Sequence, residues 1–131
     1  KNIFKSILSI KKPSQKIITV IGCGGNRDTG KRPIMGSISY NNSDITIFTA
    51  DNPRDEGIMK IINEMSQGLK TKKSKKLFKI EDRRKAINEA IQLATTNDIV
   101  LILGKGHEKY QEIKGEKFPF DDYKVLENVL K

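Results

Sequence analysis

Cysteine and histidine are almost absent from this 131-residue chain, which holds one of each, Cys23 and His107. A single cysteine excludes a disulfide framework within the chain. Together the two residues offer too few ligands for a His/Cys metal site. A Ser-His-Asp arrangement would have to use His107, and the sequence has no nucleophile elbow to go with it. No apolar run approaches the ~20 residues that span a bilayer. The opening segment, KNIFKSILSIKK, is short and amphipathic and carries no signal-peptide cleavage site. The first residue is not Met, so a longer parent chain is expected. Internal repeats are absent, and the only biased tract is the lysine run at residues 70–76, KTKKSKK.

What is present fits one soluble globular domain. Hydrophobic residues make up 36% and charged residues 31%, with apolar clusters recurring along the chain. That length buries a core without disulfides or a structural metal. The net charge of +9 points to anionic partners, whether nucleic acid, phosphorylated small molecules or polycarboxylates. Charge alone does not choose between them. The lysine run reads as a solvated loop on the amino edge of the sheet, away from any ligand. It has no interleaved aromatics, so the stacking platform of a single-strand binder is missing.

Hydrophobic periodicity alternates between strand and helix. Ile3, Phe4, Ile7, Leu8 and Ile10 fall near one face of a first helix. Residues 16–21, KIITVI, form a β-branched run suited to a buried strand. A glycine-rich loop, GCGGNRDTGKRP, follows, and Pro33 suits the first turn of the next helix. Residues 44–50, DITIFTA, make a second strand that ends in the turn Asp51-Asn52-Pro53-Arg54. Ile58, Met59, Ile61, Ile62, Met65 and Leu69 then keep helical spacing, with Asp55 and Glu56 at that helix's N-terminus. Residues 77–80 are a weak third strand. Asp82 can cap a helix bearing Ala86, Ile87, Ala90, Ile91 and Ala94. The fourth strand, DIVLIL at 98–103, is the most apolar and is expected to be the most buried. A hairpin around Lys114-Gly115 follows. Asp121 or Asp122 would cap a last helix carrying Val125, Leu126, Val129 and Leu130, with Phe120 as its staple.

This order predicts an α/β fold: an open, mostly parallel sheet with helices on both faces and a C-terminal hairpin. A doubly wound arrangement puts the first strand in the middle with the fourth beside it. The loops after strands one, two and four then share the carboxyl edge. The first carries Arg27, Lys31 and Arg32 beside a helix N-terminus, an anion-binding arrangement. It is neither a complete dinucleotide fingerprint nor a Walker A loop. The second, taken alone, is an ordinary turn, but Asp51 and Arg54 together would suit an amino acid's amine and carboxylate. In the third, Gly104 to Glu108, a structural role for His107 competes with ligand contact. Cys23 reads as a small side chain packed under the first loop.

Read in order, GCGGNRDTGKRPIMG, DNPRDE, DRRKAI, LILGKGHEKYQ and PFDD resemble one family over residues 16–122. It is the C-terminal domain of the Mur ligases that add the third amino acid of the peptidoglycan stem peptide, the UDP-N-acetylmuramoyl-tripeptide synthetases. The resemblance implies a Rossmann-like domain, residues 1–131, with 1–15 a lead-in helix and linker from a central domain. It implies a cytoplasmic, ATP- and Mg2+-dependent ligase that joins meso-diaminopimelate to UDP-N-acetylmuramoyl-L-alanyl-D-glutamate. Neither nucleic acid nor membrane is an implied partner. The sequence lacks a GTNGKT-type P-loop, so ATP and Mg2+ are expected mainly on the central domain. This chain alone is expected to be inactive. By position, Arg27 matches an arginine holding a carboxylate of the incoming amino acid near the nucleotide. Asp51, Asn52, Pro53 and Arg54 match the DNPR motif of diaminopimelate-adding enzymes, with Arg54 on the distal carboxylate. Gly104 and Glu108 match contacts to the distal amino acid centre. Asn26 stands where an aspartate is common. An L-lysine-adding ligase and a stand-alone basic nucleotide-binding module are the alternatives.

Overall fold

The computed structural model describes residues 2–25, 29–69, 76–95, 97–104, 110–119 and 122. Among these residues four helices and six strands follow one another: α1 (Asn2–Ile10), β1 (Ile17–Cys23), α2 (Lys31–Asn41), β2 (Ile45–Ala50), α3 (Ile58–Met65), β3 (Leu77–Lys79), α4 (Arg83–Leu93), β4 (Ile99–Leu103), β5 (Tyr110–Ile113) and β6 (Glu116–Pro119). The first four strands form one parallel sheet in the order β3-β2-β1-β4. β1 is central and the winding reverses between β1 and β4, as the alternation predicts. β5 and β6 pair antiparallel as a separate hairpin. Its two-residue turn puts Lys114 at φ 51° and Gly115 at φ 82°, the positive dihedrals that match strand twist.

Side chains alternate across the strands and build two cores. On one face Ile18 and Val20 of β1 and Ile47 of β2 meet Ala86, Ile87 and Ala90 of α4. On the other, Ile21, Cys23 and Phe48 meet Ile61, Ile62 and Met65 of α3. Each fully buried Val, Ile, Phe or Met side chain among them contributes roughly 1.5–3 kcal/mol. Two expectations are corrected. β1, not β4, is the most buried strand, because all seven β1 residues are covered while every β4 residue is partly exposed. Among the described strands, β4 has a neighbour on one side only. In α1, Phe4 is buried, but Leu8 is 48% and Ile10 74% exposed, so its apolar stripe is only partly used. The last helix, with Phe120, Val125, Leu126, Val129 and Leu130, lies outside the described residues, as do residues 70–75 of the lysine run. Lys76 enters β3 at its amino end, with its ammonium 4.4 Å from the Tyr40 ring centre.

Carboxylates close the amino edge of the sheet. The Ile17 amide donates to Asp44 Oδ2 at 2.8 Å. The Lys16 amide donates to Asp98 Oδ1 at 3.0 Å, and the Thr95 amide to Asp98 Oδ2 at 2.9 Å. These bonds favour the ionised form, so the Lys16 amide, then the Thr95 amide, hold the Asp98 carboxyl down at about 2 from an ordinary 3.8. A depressed carboxylate stabilises the fold above its unfolded value and loses that contribution as pH falls through the folded one. Asp98→Asn should therefore lower stability at pH 7, and its difference from wild type should shrink between about pH 4 and pH 2. Urea unfolding across that range checks it; a difference that stays constant with pH would contradict the assignment.

Candidate functional site

The crevice at the strand-order reversal is built from the ends of β1, β2 and β4. A cavity of about 320 Å³ there is lined by Gly22, Cys23, Gly24, Lys31, Arg32, Met35, Asp51 and Gly104. Open parallel sheets place ligands at this position because the loops diverge there. Asp51 and Asn52 are buried, 8% and 1% exposed. Cys23 is buried too, and burial pushes its thiol up to about 11.

The glycines let the three loops touch. The Gly25 amide donates to Asn52 O at 2.6 Å, and a Cβ on Gly25 would overlap the Pro53 carbonyl. Gly104 has φ +117°, and a Cβ there would lie 2.7 Å from Gly22 O. Backbone therefore packs on backbone across the crevice.

Arg54 adopts φ +54°, a left-handed conformation that costs an L-residue about 1–2 kcal/mol. Contacts within the turn, to the first loop and from the hairpin hold it there. Its Nη1 donates to Gly25 O at 2.9 Å and Asn52 O at 3.4 Å. The Lys114 amide of the hairpin turn donates to Arg54 O at 2.5 Å. The side chain thus bonds to the first loop while Asp51 lines the cavity. The sequence does not announce this separation, since both residues sit in one tetrapeptide. Arg27, Glu108 and His107 lie outside the described residues, and so does Asn26.

Two buried arginines were not legible as site builders. Arg32, read as part of an anion-binding cluster, is 1% exposed. Its anions are the chain's own carboxylates. Glu56 takes Nη1 at 2.9 Å and Nη2 at 2.7 Å, Glu64 takes Nη1 at 2.6 Å, and the Gly24 carbonyl takes Nη2 at 3.0 Å. The bond to Glu56, then that to Glu64, pushes the Arg32 guanidinium further above its ordinary range. The bond from Arg32, then that from Lys60, holds the Glu64 carboxyl down. Glu56 accordingly lies before the Gly57 N-cap of α3, and no acidic residue stands in that helix's first turn. A buried guanidinium is a stronger partner than an exposed helix end.

Arg83, also 1% exposed, donates to Ala50 O at 2.9 Å and Leu103 O at 3.2 Å, the last carbonyls of β2 and β4. Its Nε and Nη2 grip the Asp122 oxygens at 2.8 Å each. This fork joins two of the sequence motifs, DRRKAI and PFDD. Asp82 caps α4 as expected, accepting from the Arg84 and Lys85 amides.

Two predictions follow from this packing. Gly25→Ala should destabilise the fold by on the order of 1–3 kcal/mol, the range for overpacking. Gly57→Ser, where a Cβ meets nothing within 4 Å, should be neutral or slightly stabilising; equal losses in thermal melts would show that loop contact is not the cause. Cys23 should react very slowly with a disulfide reagent at pH 8 and quickly in urea, because only the thiolate attacks. Rapid labelling of the folded chain would mean that the thiol is open.

Residues 1–106 match a family model described as Mur ligase, glutamate ligase domain. The chain is 48% identical, over 99% of its length, to the UDP-N-acetylmuramoyl-L-alanyl-D-glutamate--2,6-diaminopimelate ligase of Cytophaga hutchinsonii, covering 26% of that protein. It is 52% identical over 88% of its length to the Aquifex aeolicus protein of the same name, covering 23% of it. A solved structure of a ligase so named superposes with a TM-score of 0.89 at 37% identity, over 98% of this chain and 26% of the other. The chain spans about a quarter of the length of the curated relatives it matches. With most of its residues inside the family model and its fold shared with a solved member, the chain belongs to the Mur ligase, glutamate ligase domain family.

Proposed function

We propose that this chain is the amino-acid-binding C-terminal domain of a cytoplasmic, ATP-dependent ligase. The ligase adds meso-diaminopimelate to UDP-N-acetylmuramoyl-L-alanyl-D-glutamate. The observation that carries the reading is the Asp51–Arg54 turn, held at the carboxyl edge with Arg54 in a left-handed conformation. Backbone strain of this kind persists where a side chain must be aimed. The relatives' names supply the substrate class.

In this reaction class a carboxylate is activated by phosphorylation, the incoming amine attacks the acyl carbon, and phosphate leaves. The residues of this chain bind and orient the amine's carrier, which converts an encounter into a positioned attack. Arg54 grips the distal carboxylate as a two-pronged fork. Glu108 accepts from the distal ammonium, and the Gly104 backbone approaches the same centre. Asp51 and Asn52 shape the wall, and Pro53 fixes the turn. Arg27 holds the other carboxylate near the nucleotide. Among the described residues no group of three or more His, Cys, Asp or Glu side chains converges on a metal position. ATP and Mg2+ are assigned mainly to the rest of the enzyme, because this sequence has no GTNGKT-type P-loop, and residues 1–15 are assigned to the lead-in from it.

Arg54 should make the full enzyme choose meso-diaminopimelate over L-lysine, which lacks the distal carboxylate. A guanidinium held in a fixed place favours the ligand that brings it a second carboxylate, and sites built to hydrogen-bond a polar group reject analogues lacking it by up to roughly 10⁴-fold. Arg54→Ala should cut kcat/KM for diaminopimelate by about 10²-fold or more and narrow the gap to lysine. Arg54→Lys should rescue little, because an ammonium makes no fork. The test is kcat/KM for both amino acids on the full-length enzyme and both variants. Equal use of the two by wild type, or unchanged selectivity in Arg54→Ala, would overturn the substrate assignment.

A further inference from the structure

We propose that Arg32 is a positioning residue for the amino acid site. Through its fork with Glu56 it sets where the 51–56 turn stands against the first loop. The inference rests on the function proposed above and gives Arg32 a role exercised through Glu56 and the two loops.

The geometry is specific. One guanidinium, 1% exposed, reaches the first loop through the Gly24 carbonyl, the second through both Glu56 oxygens, and α3 through Glu64. Glu56 closes the turn that carries Arg54, since its amide donates to Pro53 O at 3.0 Å. The next residue of the first loop, Gly25, takes Arg54 Nη1 and donates to Asn52 O. Arg32 thus holds from beneath the two segments that Arg54 bridges from above. Lys60 closes the outside, 2.8 Å from Glu56 and 3.1 Å from Glu64.

Cohesion alone is a poor reason for this arrangement. Buried ion pairs are often no more stabilising than apolar residues of the same shape. Here Arg32 Nε is buried with no hydrogen-bond partner among the described residues, a desolvation cost with no return. What an ionic fork supplies and an apolar contact does not is a fixed distance and angle between two loops. The two carboxylates also separate the roles. Glu56 lies on the turn, whereas Glu64 lies on α3 and serves packing.

The experiment uses the full-length enzyme with Glu56→Gln, Glu64→Gln and Arg32→Lys. Glu56→Gln and Arg32→Lys should each raise KM for meso-diaminopimelate about tenfold or more, with KM for ATP within about twofold. Their double variant should be no worse than the poorer single one, because both break the same fork. Glu64→Gln should lower Tm while leaving KM for the amino acid within about twofold. Amide hydrogen exchange over residues 51–57 should speed up in Glu56→Gln and stay unchanged in Glu64→Gln. That readout tests the positioning whatever the substrate is. A wild type that does not use meso-diaminopimelate would overturn the function reading while exchange still judges this one. Unchanged exchange in Glu56→Gln, or equal KM rises in the two glutamate variants, would overturn the positioning role.

Discussion

A parallel sheet sends all its strands the same way, so unpaired amides gather at one edge and unpaired carbonyls at the other. Buried backbone polar groups must find partners, and this chain resolves the two edges with opposite charges. At the amino edge Asp44 and Asp98 accept from the amides at the start of β1. At the carboxyl edge Arg83 takes the last carbonyls of β2 and β4, and Arg32 takes the Gly24 carbonyl just past β1. The sheet is closed by ion-dipole contacts, and the loops can only be arranged around those groups.

That constraint explains why the site is made of glycine and backbone. With guanidinium groups occupying the space under the loops, the loops themselves must run over one another at contact distance. Gly25 under Pro53 and Gly104 over Gly22 are positions where a methyl group has no room. Side chains are then free to be aimed rather than packed, and Arg54 is aimed at the expense of an unfavourable φ. The hairpin, outside the parallel sheet, contributes the bond from the Lys114 amide to the Arg54 carbonyl. A turn held by several segments has little conformational freedom left to lose.

Much of this was legible in the sequence, and the failures have a common cause. Periodicity located the strands and helices, the winding order put β1 in the middle, and the glycine runs marked the crowded edge. Asp82 announced its cap. The separation of Arg32 from the solvent was not legible, because three basic residues in six look alike until one is found beneath the loop. Its partners Glu56 and Glu64 lie 24 and 32 residues away. Arg83 finds Asp122 at 39 residues. Apolar patterning is local and repeats, so it can be read; a charge pair made across folded loops leaves no period. The burial of β4 was misjudged for a related reason. Its composition is that of a central strand, but composition does not say which strands stand beside it.

A sequence shows Asn-Pro-Arg and a turn, and nothing in those letters demands positive φ at an arginine. Glycine would fit that dihedral without strain, so a fold selected for stability alone would place glycine there. Here an arginine bears the strain, and other segments hold it. Its carbonyl is held by the hairpin, its guanidinium by the first loop, and the turn behind it by the Arg32–Glu56 fork. Each contact comes from a different segment of the chain. Together they fix the turn that brings Asp51 to the crevice where the strands of the sheet part.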